Sequence, residues 1–248
     1  LIQAVDMHGY RVVPGAFDPD RGCPVAYLSS ENRDVAEWHV PAALILPALQ
    51  EAGSRMNWSL LASGSRHRSP KEIVAELRSL RCGGVVLDND DAPVLEALRQ
   101  FGIPVVMFDR WVEDAGFDCV MQDGQMGGAL AVRYLLEKGC RRVAWFGPAE
   151  KTPHNLDRFS GMAGALDEAG LSLEPGLNIK VEGNTIAVRA RELMARKDRP
   201  DGVVVCWTNM TQALAVAARE AHLILGQDLH IVGWSPEEAY ETYYRPAF

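Results

Sequence analysis

The stretch that decides the fold runs from Asp123 to Gly147 and reads DGQMGGALAVRYLLEKGCRRVAWFG. Asp123 is a good helix N-cap, and Gly139 is a plausible position for the helix to stop. Four residues between them form one apolar stripe at helical spacing: Leu130, Ala131, Tyr134 and Leu135. Val143–Phe146 then reads as a buried strand. The stretch therefore predicts a helix that feeds a strand, which is the repeating unit of a parallel α/β sheet.

A second signature follows at Arg158–Gly161, which reads RFSG and opens an Ala/Leu-rich helix that ends at Gly170. An arginine this early in a helix is mildly disfavoured by the helix dipole, so its usual explanation is a solvated surface charge. A fixed, forked donor for ligand hydroxyls or a carboxylate is the functional alternative. Arg158 is therefore the strongest single candidate for a ligand-binding residue.

Outward from these signatures, apolar β-rich runs alternate with helical stretches along the chain. The predicted strands are Val25–Leu28, Trp58–Ala62, Val85–Leu87, Val105–Phe108, Cys119–Met121, Val143–Phe146, Ile179–Val181, Val203–Cys206 and Leu229–Gly233. The predicted helices are Val40–Ala52, Lys71–Leu80, Ala92–Phe101, Gly124–Lys138, Leu156–Ala169, Ile186–Arg196 and Thr211–Ala221. Such alternation predicts an α/β fold with parallel sheets covered by helices. Two doubly wound subdomains fit the length better than one continuous sheet.

Parallel sheets bind ligands beyond the carboxyl ends of their strands, which gives a set of candidate contacts. With Arg158, the predicted ligand-binding residues are Asp123, Asp88, Asn32, Ser30, Trp207, Ser235 and Asp109. Each has a structural alternative. Asp123 is explained by capping alone, Asp88 could cap the next helix, and Asp109 with Arg110 could form a surface ion pair. Trp207, like Trp234, could pack in the core or stack on a ring of the ligand.

The composition is that of an ordinary globular chain. Of 248 residues, 48% are apolar and 23% are charged, and the net charge is −8, which argues against a broad nucleic-acid surface. We find no signal peptide and no apolar run that could cross a bilayer, so no membrane partner is expected. The five cysteines are scattered and never form a Cys-x-x-Cys pair, which predicts a reduced, cytoplasmic chain.

The chain carries none of the common hydrolase, zinc, P-loop or dinucleotide motifs. Its six histidines show no spacing typical of metal ligands. No nucleophile, base and orienting residue can be assembled from the sequence. We therefore expect a binding module that is not an enzyme and that uses no cofactor or metal.

The segments Asp123–Gly147 and Arg158–Gly170 together resemble the effector-binding core of the LacI/GalR family of bacterial transcription regulators. The resemblance implies a periplasmic-binding-protein-like fold of type I, with a ligand cleft between its two subdomains. It also implies a small-molecule effector, a homodimer, and operator DNA bound through a headpiece that is absent from this chain. In that family, the aspartate that matches Asp123 and the arginine that matches Arg158 face the effector.

The same resemblance suggests how the chain is divided. Residues 1–24 are similar to the end of a DNA-binding headpiece and its hinge, residues 25–137 to an N-terminal subdomain, and residues 138–248 to a C-terminal subdomain truncated at its end. The hinge departs from the family, because Phe17–Gly22 reads FDPDRG in place of an Ala/Arg/Leu helix. Pro19 and the two acidic residues beside it disfavour a hinge helix ordered by DNA.

Two departures bear on the effector. Trp207-Thr208 stands where the family commonly has Asn-Asp, and Gly233-Trp234-Ser235 stands where it has Gly-Phe/Tyr-Asp. Because Ser235 accepts hydrogen bonds from sugar hydroxyls less strongly than an aspartate, this departure argues against a standard hexose as the effector.

The sequence predicts a sensor in which closure around a small polar metabolite, of the sugar or nucleoside class, modulates operator binding. Two alternatives remain open. One is a secreted solute-binding protein that feeds a transporter, and the other is an α/β hydrolase that uses Asp88, Asp109 or Asp123 as its acid or base.

Overall fold

The computed structural model describes residues 22–29, 42–65, 68–110 and 112–234. The predicted ligand residues Ser30, Asn32 and Ser235 lie outside these residues, as does nearly all of the predicted headpiece and hinge segment. The chain divides into two compact units, Leu1–Met121 and Gln122–Phe248. The division falls earlier than the sequence-predicted boundary after residue 137, because the helix that begins at Gly124 packs in the second unit.

The first unit is built on a parallel sheet with the strand order β2-β1-β3-β4-β5. Its strands are β1 Cys23–Ser29, β2 Trp58–Gly64, β3 Gly84–Asp88, β4 Val105–Phe108 and β5 Asp118–Val120. Its described helices are α1 Ala42–Arg55, α2 Pro70–Ser79 and α3 Ala92–Phe101. The helix that the sequence predicted around Pro47 is present, and Pro47 lies inside α1. A proline inside a helix removes one backbone hydrogen bond, and α1 nevertheless continues past it.

The second unit is built on a parallel sheet with the strand order β7-β6-β8-β9. Its described strands are β6 Val143–Pro148, β7 Asn178–Val181, β8 Gly202–Val205 and β9 His230–Gly233. Its described helices are α4 Gly124–Glu137, α5 Pro153–Glu168, α6 Ile186–Met194 and α7 Thr208–Glu220. Two parallel sheets with intervening helices confirm the predicted fold class and exclude a single continuous sheet in the described residues. The expected ligand cleft stays a prediction.

Both faces of the first sheet are buried, which explains why its central strands read as nearly continuous apolar runs. Ala26 and Leu28 of β1 belong to one apolar cluster, together with Leu98 of α3. Val25 and Tyr27 belong to the cluster on the opposite face, which includes Ile45 of α1. Alternate residues of one strand thus enter two different cores, as the strand period of two requires.

Helix α4 corrects one detail of the sequence analysis, which placed four residues on a single apolar stripe. Ala131 and Leu135 are buried, but Leu130 and Tyr134 are 54% and 48% exposed. Successive helical residues are turned by about 100° around the axis, so neighbours in sequence cannot all face the core. Ala131 and Leu135, four residues apart, lie on the face that packs into the unit.

Each sheet has one topological switch point, where the chain stops adding strands at one edge of the sheet and begins adding them towards the other. In the first sheet, β1 lies between β2 and β3, so the switch point falls between β1 and β3. In the second, β6 lies between β7 and β8, so it falls between β6 and β8. Crevices at the carboxyl ends of such strand pairs are where open parallel sheets bind ligands.

Candidate functional site

Arg158 lies at the switch point of the second sheet. It is carried by α5, the helix that follows β6, and its Nη1 donates a hydrogen bond of 2.9 Å to the carbonyl oxygen of Cys206, directly after β8. The residue is only 3% exposed. The guanidinium is therefore held at the carboxyl end of β8, and the alternative of a solvated surface charge is excluded by its burial.

Two indole rings flank the Arg158 guanidinium. Its central carbon lies 4.6 Å from the ring centroid of Trp207 and 4.5 Å from that of Trp234. A cation over an indole is stabilised by about 0.5–1 kcal/mol at exposed sites and by about 2 kcal/mol or more when water is excluded. Trp207 also makes an edge contact with His154, at 6.5 Å between ring centroids. The two tryptophans therefore position the arginine.

The second amino group of Arg158 is held by Gln122. Its Nη2 donates a hydrogen bond of 3.2 Å to the Gln122 amide oxygen, although the Gln122 residue is itself exposed. The other hydrogen-bond acceptors of the guanidinium are the Cys206 carbonyl oxygen and, more weakly, the Cys206 Sγ. Among the described residues, no carboxylate forms an ion pair with Arg158. The cation is thus fixed by neutral groups.

The two sequence signatures owe their spacing to the packing of α4 on α5. A methyl group on Gly128 would lie 2.1 Å from the Arg158 carbonyl oxygen, and one on Gly161 would lie 1.8 Å from that of Gln125. Such distances exclude any side chain at either position. The glycines of both signatures therefore let the helix backbones touch, and this close approach fixes the part of α5 that carries Arg158.

A buried polar network supports the same edge of the sheet. The Cys206 thiol donates to the Asn155 amide oxygen at 3.1 Å, and the Asn155 amide nitrogen donates to the Glu150 carbonyl oxygen at 2.9 Å. Burial raises the pKa of the Cys206 thiol to about 11, although the nearby Arg158 lowers it. Cys206 is therefore a neutral thiol at physiological pH and acts as a packed hydrogen-bond donor.

Asp123 caps α4, as the sequence predicts. Its Oδ1 accepts a hydrogen bond of 2.8 Å from the backbone N–H of Met126, and the residue is exposed. The residue that follows, Gly124, lies against Arg158, since a methyl group there would be 3.4 Å from the arginine Cγ. The chain thus brings Asp123 close to the arginine, while a ligand role for its carboxylate stays a prediction.

The first unit places a separate polar cluster at its own switch point. Asp88 ends β3 opposite Ser29 of β1, and it is 6% exposed. Its Oδ2 accepts hydrogen bonds from the Tyr27 hydroxyl at 3.2 Å and the Ser29 hydroxyl at 3.5 Å. Its Oδ1 accepts from Arg110 Nε at 2.9 Å. The carboxylate is therefore paired and satisfied, and it does not cap α3, whose N-cap is Asp91.

Asp109 has a different environment from the ion pair that the sequence suggested. Arg110 pairs with Asp88 and, at 3.6 Å, with Asp90. Asp109 has a φ of +53°, a left-handed conformation uncommon outside glycine, and its backbone N–H donates to the Val120 carbonyl oxygen at 2.8 Å. Its ligand role stays a prediction.

The predicted site residues that the structure describes thus fall into two groups, one in each unit. Arg158 and Trp207 are brought together in the second unit, with Asp123 at the adjoining helix end; Asp88 and Asp109 lie in the first. Gln122 follows β5, so the strand-end rule includes it among the possible contacts, although it was not one of the predicted ligand-binding residues. Tyr27 sits inside an apolar strand and carried no signal.

Two further features of the described residues are negative. No group of histidine, cysteine, aspartate and glutamate side chains there is arranged to hold a metal ion. Within the same residues, every helix is too short or too polar to span a bilayer.

Comparison with known proteins finds relatives of this chain in sequence and in fold. Residues 132–248 match the family model described as a periplasmic binding protein-like domain. The ribose operon repressor of Escherichia coli K12 is 32% identical over 150 residues, which cover 59% of this chain and 45% of the repressor. The transcriptional repressor PurR of Vibrio atlanticus is 27% identical over 198 residues, which cover 75% of this chain and 58% of that protein.

A LacI-family regulatory protein from Chloroflexus aggregans has a similar solved structure. The TM-score is 0.75 at 26% identity, and the match covers 88% of this chain and 80% of that one. These findings confirm the resemblance seen in the sequence: the chain is similar to the periplasmic-binding-protein-like core of LacI/GalR-family transcription regulators. It spans about half the length of the curated relatives named above.

Proposed function

We propose that this chain is the effector-sensing and dimerising part of a cytoplasmic transcription regulator. It would bind a small polar metabolite of the sugar or nucleoside class in the predicted cleft, with Arg158 as its main contact. Residues 1–24 would lead from a DNA-binding headpiece, and the predicted N-terminal and C-terminal subdomains would correspond to the two compact units, with the boundary at Gln122 rather than after residue 137. Ligand binding would then change operator affinity in the homodimer, typically by about 5- to 150-fold.

One observation carries this proposal: a buried arginine stands at the switch point of a parallel sheet, with its guanidinium fixed by two indoles and a backbone carbonyl. At this buried position the charge loses its hydration, which is unfavourable in free energy. An arginine with a structural role on the surface would not bear that cost. The named relatives are transcription repressors, which supports a regulator over a solute-binding protein or a hydrolase.

A thermal-shift screen tests the proposal. Ribose, other sugars, nucleosides and small organic acids would be added to the wild-type protein and to Arg158→Ala. A ligand present at about 100 times its Kd stabilises the folded state by about 2.7 kcal/mol, which is readily seen as a rise in Tm. We expect the rise to be lost in Arg158→Ala.

Arg191→Ala is the matched control, because Arg191 is an exposed arginine of α6 that pairs with Glu220. The control should respond to ligand as the wild type does. A ligand that raises the Tm of wild type and Arg158→Ala equally would remove Arg158 from the binding site.

The dimer is tested separately by sedimentation. The chain has a mass of 27.3 kDa, and we expect a species of twice that mass at micromolar concentration. A species that stays at the mass of one chain over the whole concentration range would contradict dimerisation by this part of the protein.

A further inference from the structure

The Arg158 guanidinium carries a positive charge that the described structure does not neutralise. Its hydrogen-bond partners are a backbone carbonyl, an amide oxygen and a thiol sulfur, and all three are uncharged. Asp157 directly precedes Arg158 in the chain, and Asp123 adjoins Gly124, which lies against the arginine; both residues are exposed, and the Asp123 carboxylate is engaged in capping α4. A buried cation without a counter-ion is unusual, because removing a charge from water is costly unless it is paired.

The two indoles explain how this charge is tolerated. Trp207 and Trp234 lie 4.6 and 4.5 Å from the guanidinium carbon, and the negative faces of their rings stabilise a cation without cancelling it. A carboxylate partner would have satisfied Arg158 and left little attraction for a ligand. The indoles keep the arginine ordered while its full charge remains available.

Gln122 marks the place where a ligand atom would bind. Its amide oxygen accepts a hydrogen bond from Arg158 Nη2 at 3.2 Å, whereas Nη1 is committed to the Cys206 backbone, which is fixed by the sheet. Gln122 is an exposed residue, so its side chain can turn into water at small cost. Among the oxygens bonded to Arg158, that of Gln122 is therefore the one a ligand can replace.

We infer that the ligand of this site carries a carboxylate or phosphate group, with one anionic oxygen bound to Arg158 Nη2 where the Gln122 amide oxygen now lies. The inference rests on the proposed function and narrows it to sugar acids, sugar phosphates or similarly charged metabolites. Hydrogen bonds between charged partners are roughly twice as strong as those between neutral ones. An anionic oxygen therefore displaces the neutral amide, whereas a neutral hydroxyl only exchanges with it.

The first test uses simple anions, so it needs no knowledge of the natural ligand. Tryptophan emission is followed while chloride is replaced by acetate or by inorganic phosphate at constant ionic strength, with acetamide as the neutral analogue of acetate. We expect a saturable change with at least one anion, none with acetamide, and none in Arg158→Gln. Acetate and phosphate separate a carboxylate from a phosphate ligand.

Gln122→Ala provides a second variant, because the exposed side chain can be removed without disturbing the fold. Loss of the competing amide should lower the midpoint of the anion titration, and Arg191→Gln should leave it unchanged. The inference is overturned if wild type gives no response to either anion, if acetamide matches acetate, or if Gln122→Ala leaves the midpoint where it was.

The second test compares matched metabolites by calorimetry: galacturonate with galactose, glucuronate with glucose, and ribose 5-phosphate with ribose. We expect the charged member of at least one pair to bind at least about tenfold more tightly, and this preference to disappear in Arg158→Gln. If the neutral member binds as well and still requires Arg158, the inference fails while the proposed function stands. If a metabolite binds without needing Arg158, the proposed function loses its principal residue.

Discussion

At the scale of single residues, the site depends on two glycines as much as on the arginine. Gly128 and Gly161 place the backbones of α4 and α5 in direct contact, and Arg158 lies three residues before Gly161. The sequence showed the spacing Arg-x-x-Gly, but it could not show that the glycine is required by a helix contact. The physical reason is that helix packing is decided by residues distant in the chain.

Gly161→Ala tests this requirement. The added methyl group would fall 1.8 Å from the Gln125 carbonyl oxygen, so we expect the free energy of unfolding to drop by about 1–3 kcal/mol in denaturant titrations. Gly164 is on the same helix, and a methyl group added there would have no atom within 4 Å. Gly164→Ala should therefore raise the free energy of unfolding by about 0.5–1 kcal/mol. Equal effects of the two substitutions would contradict the helix contact.

Cys206 gives a prediction for alkaline pH. Burial raises the pKa of its thiol to about 11 from an ordinary value of 9.0, so the unfolded chain releases this proton first. The contribution of the thiol to stability is therefore complete below pH 9 and is lost as the pH rises towards 11. We expect the free energy of unfolding to fall over that range, and to fall less steeply in Cys206→Ala.

Cys119→Ala is the control for this measurement, because Cys119 is exposed. Its free energy of unfolding should fall with rising pH as steeply as that of the wild type. A slope in Cys206→Ala that equals that of wild type would show that the thiol does not titrate as its burial requires.

At the scale of secondary-structure elements, the sequence predicted nearly every helix and strand of the described residues to within a few positions. Buried parallel strands are continuous apolar runs, and helix ends are marked by residues such as Asp123 and Gly139, so both leave local signals. The stripe on α4 was predicted less well. Leu130 and Tyr134 are apolar but exposed, and apolarity alone does not reveal which face of a helix is buried.

Asp123 belongs to this scale, because its observed role is to begin α4. Asparagine is as good an N-cap as aspartate. We therefore expect the free energy of unfolding of Asp123→Asn to lie within about 0.5 kcal/mol of wild type, and that of Asp123→Ala to fall by about 1 kcal/mol. Chemical denaturation measures both. If Asp123→Asn is as unstable as Asp123→Ala, the carboxylate charge matters more than the cap. A loss of ligand affinity in the stable Asp123→Asn variant would show a ligand role in addition.

At the scale of the whole molecule, the alternation of strands and helices was sufficient to predict two parallel sheets. The strand-end rule then selected Asp88, Asp109, Asp123 and Trp207, because the carboxyl ends of parallel strands share one edge of a sheet. The partners of those residues could not be predicted. Arg158 and Gln122 are 36 residues apart, and Asp88 and Tyr27 are 61 apart, so only the folded chain brings each pair together.

The contacts of the two tryptophans at the site could not be predicted from the sequence either. Tryptophans at 207 and 234 were open to two interpretations, core packing or stacking on a ligand ring. The structure supports a third role, since both rings lie against the Arg158 guanidinium. Their distance to the arginine depends on the strand order β6-β8-β9, which places Trp207 after β8 and Trp234 after β9 on neighbouring strands.

The central claim is that the buried guanidinium of Arg158 receives the ligand. A crystal structure of the protein with the most stabilising ligand of the thermal-shift screen tests it most directly. The account predicts a ligand oxygen within about 3.2 Å of a nitrogen of Arg158, with the Gln122 side chain turned away. A ligand bound elsewhere, with the hydrogen bond from Arg158 to Gln122 still in place, would contradict it.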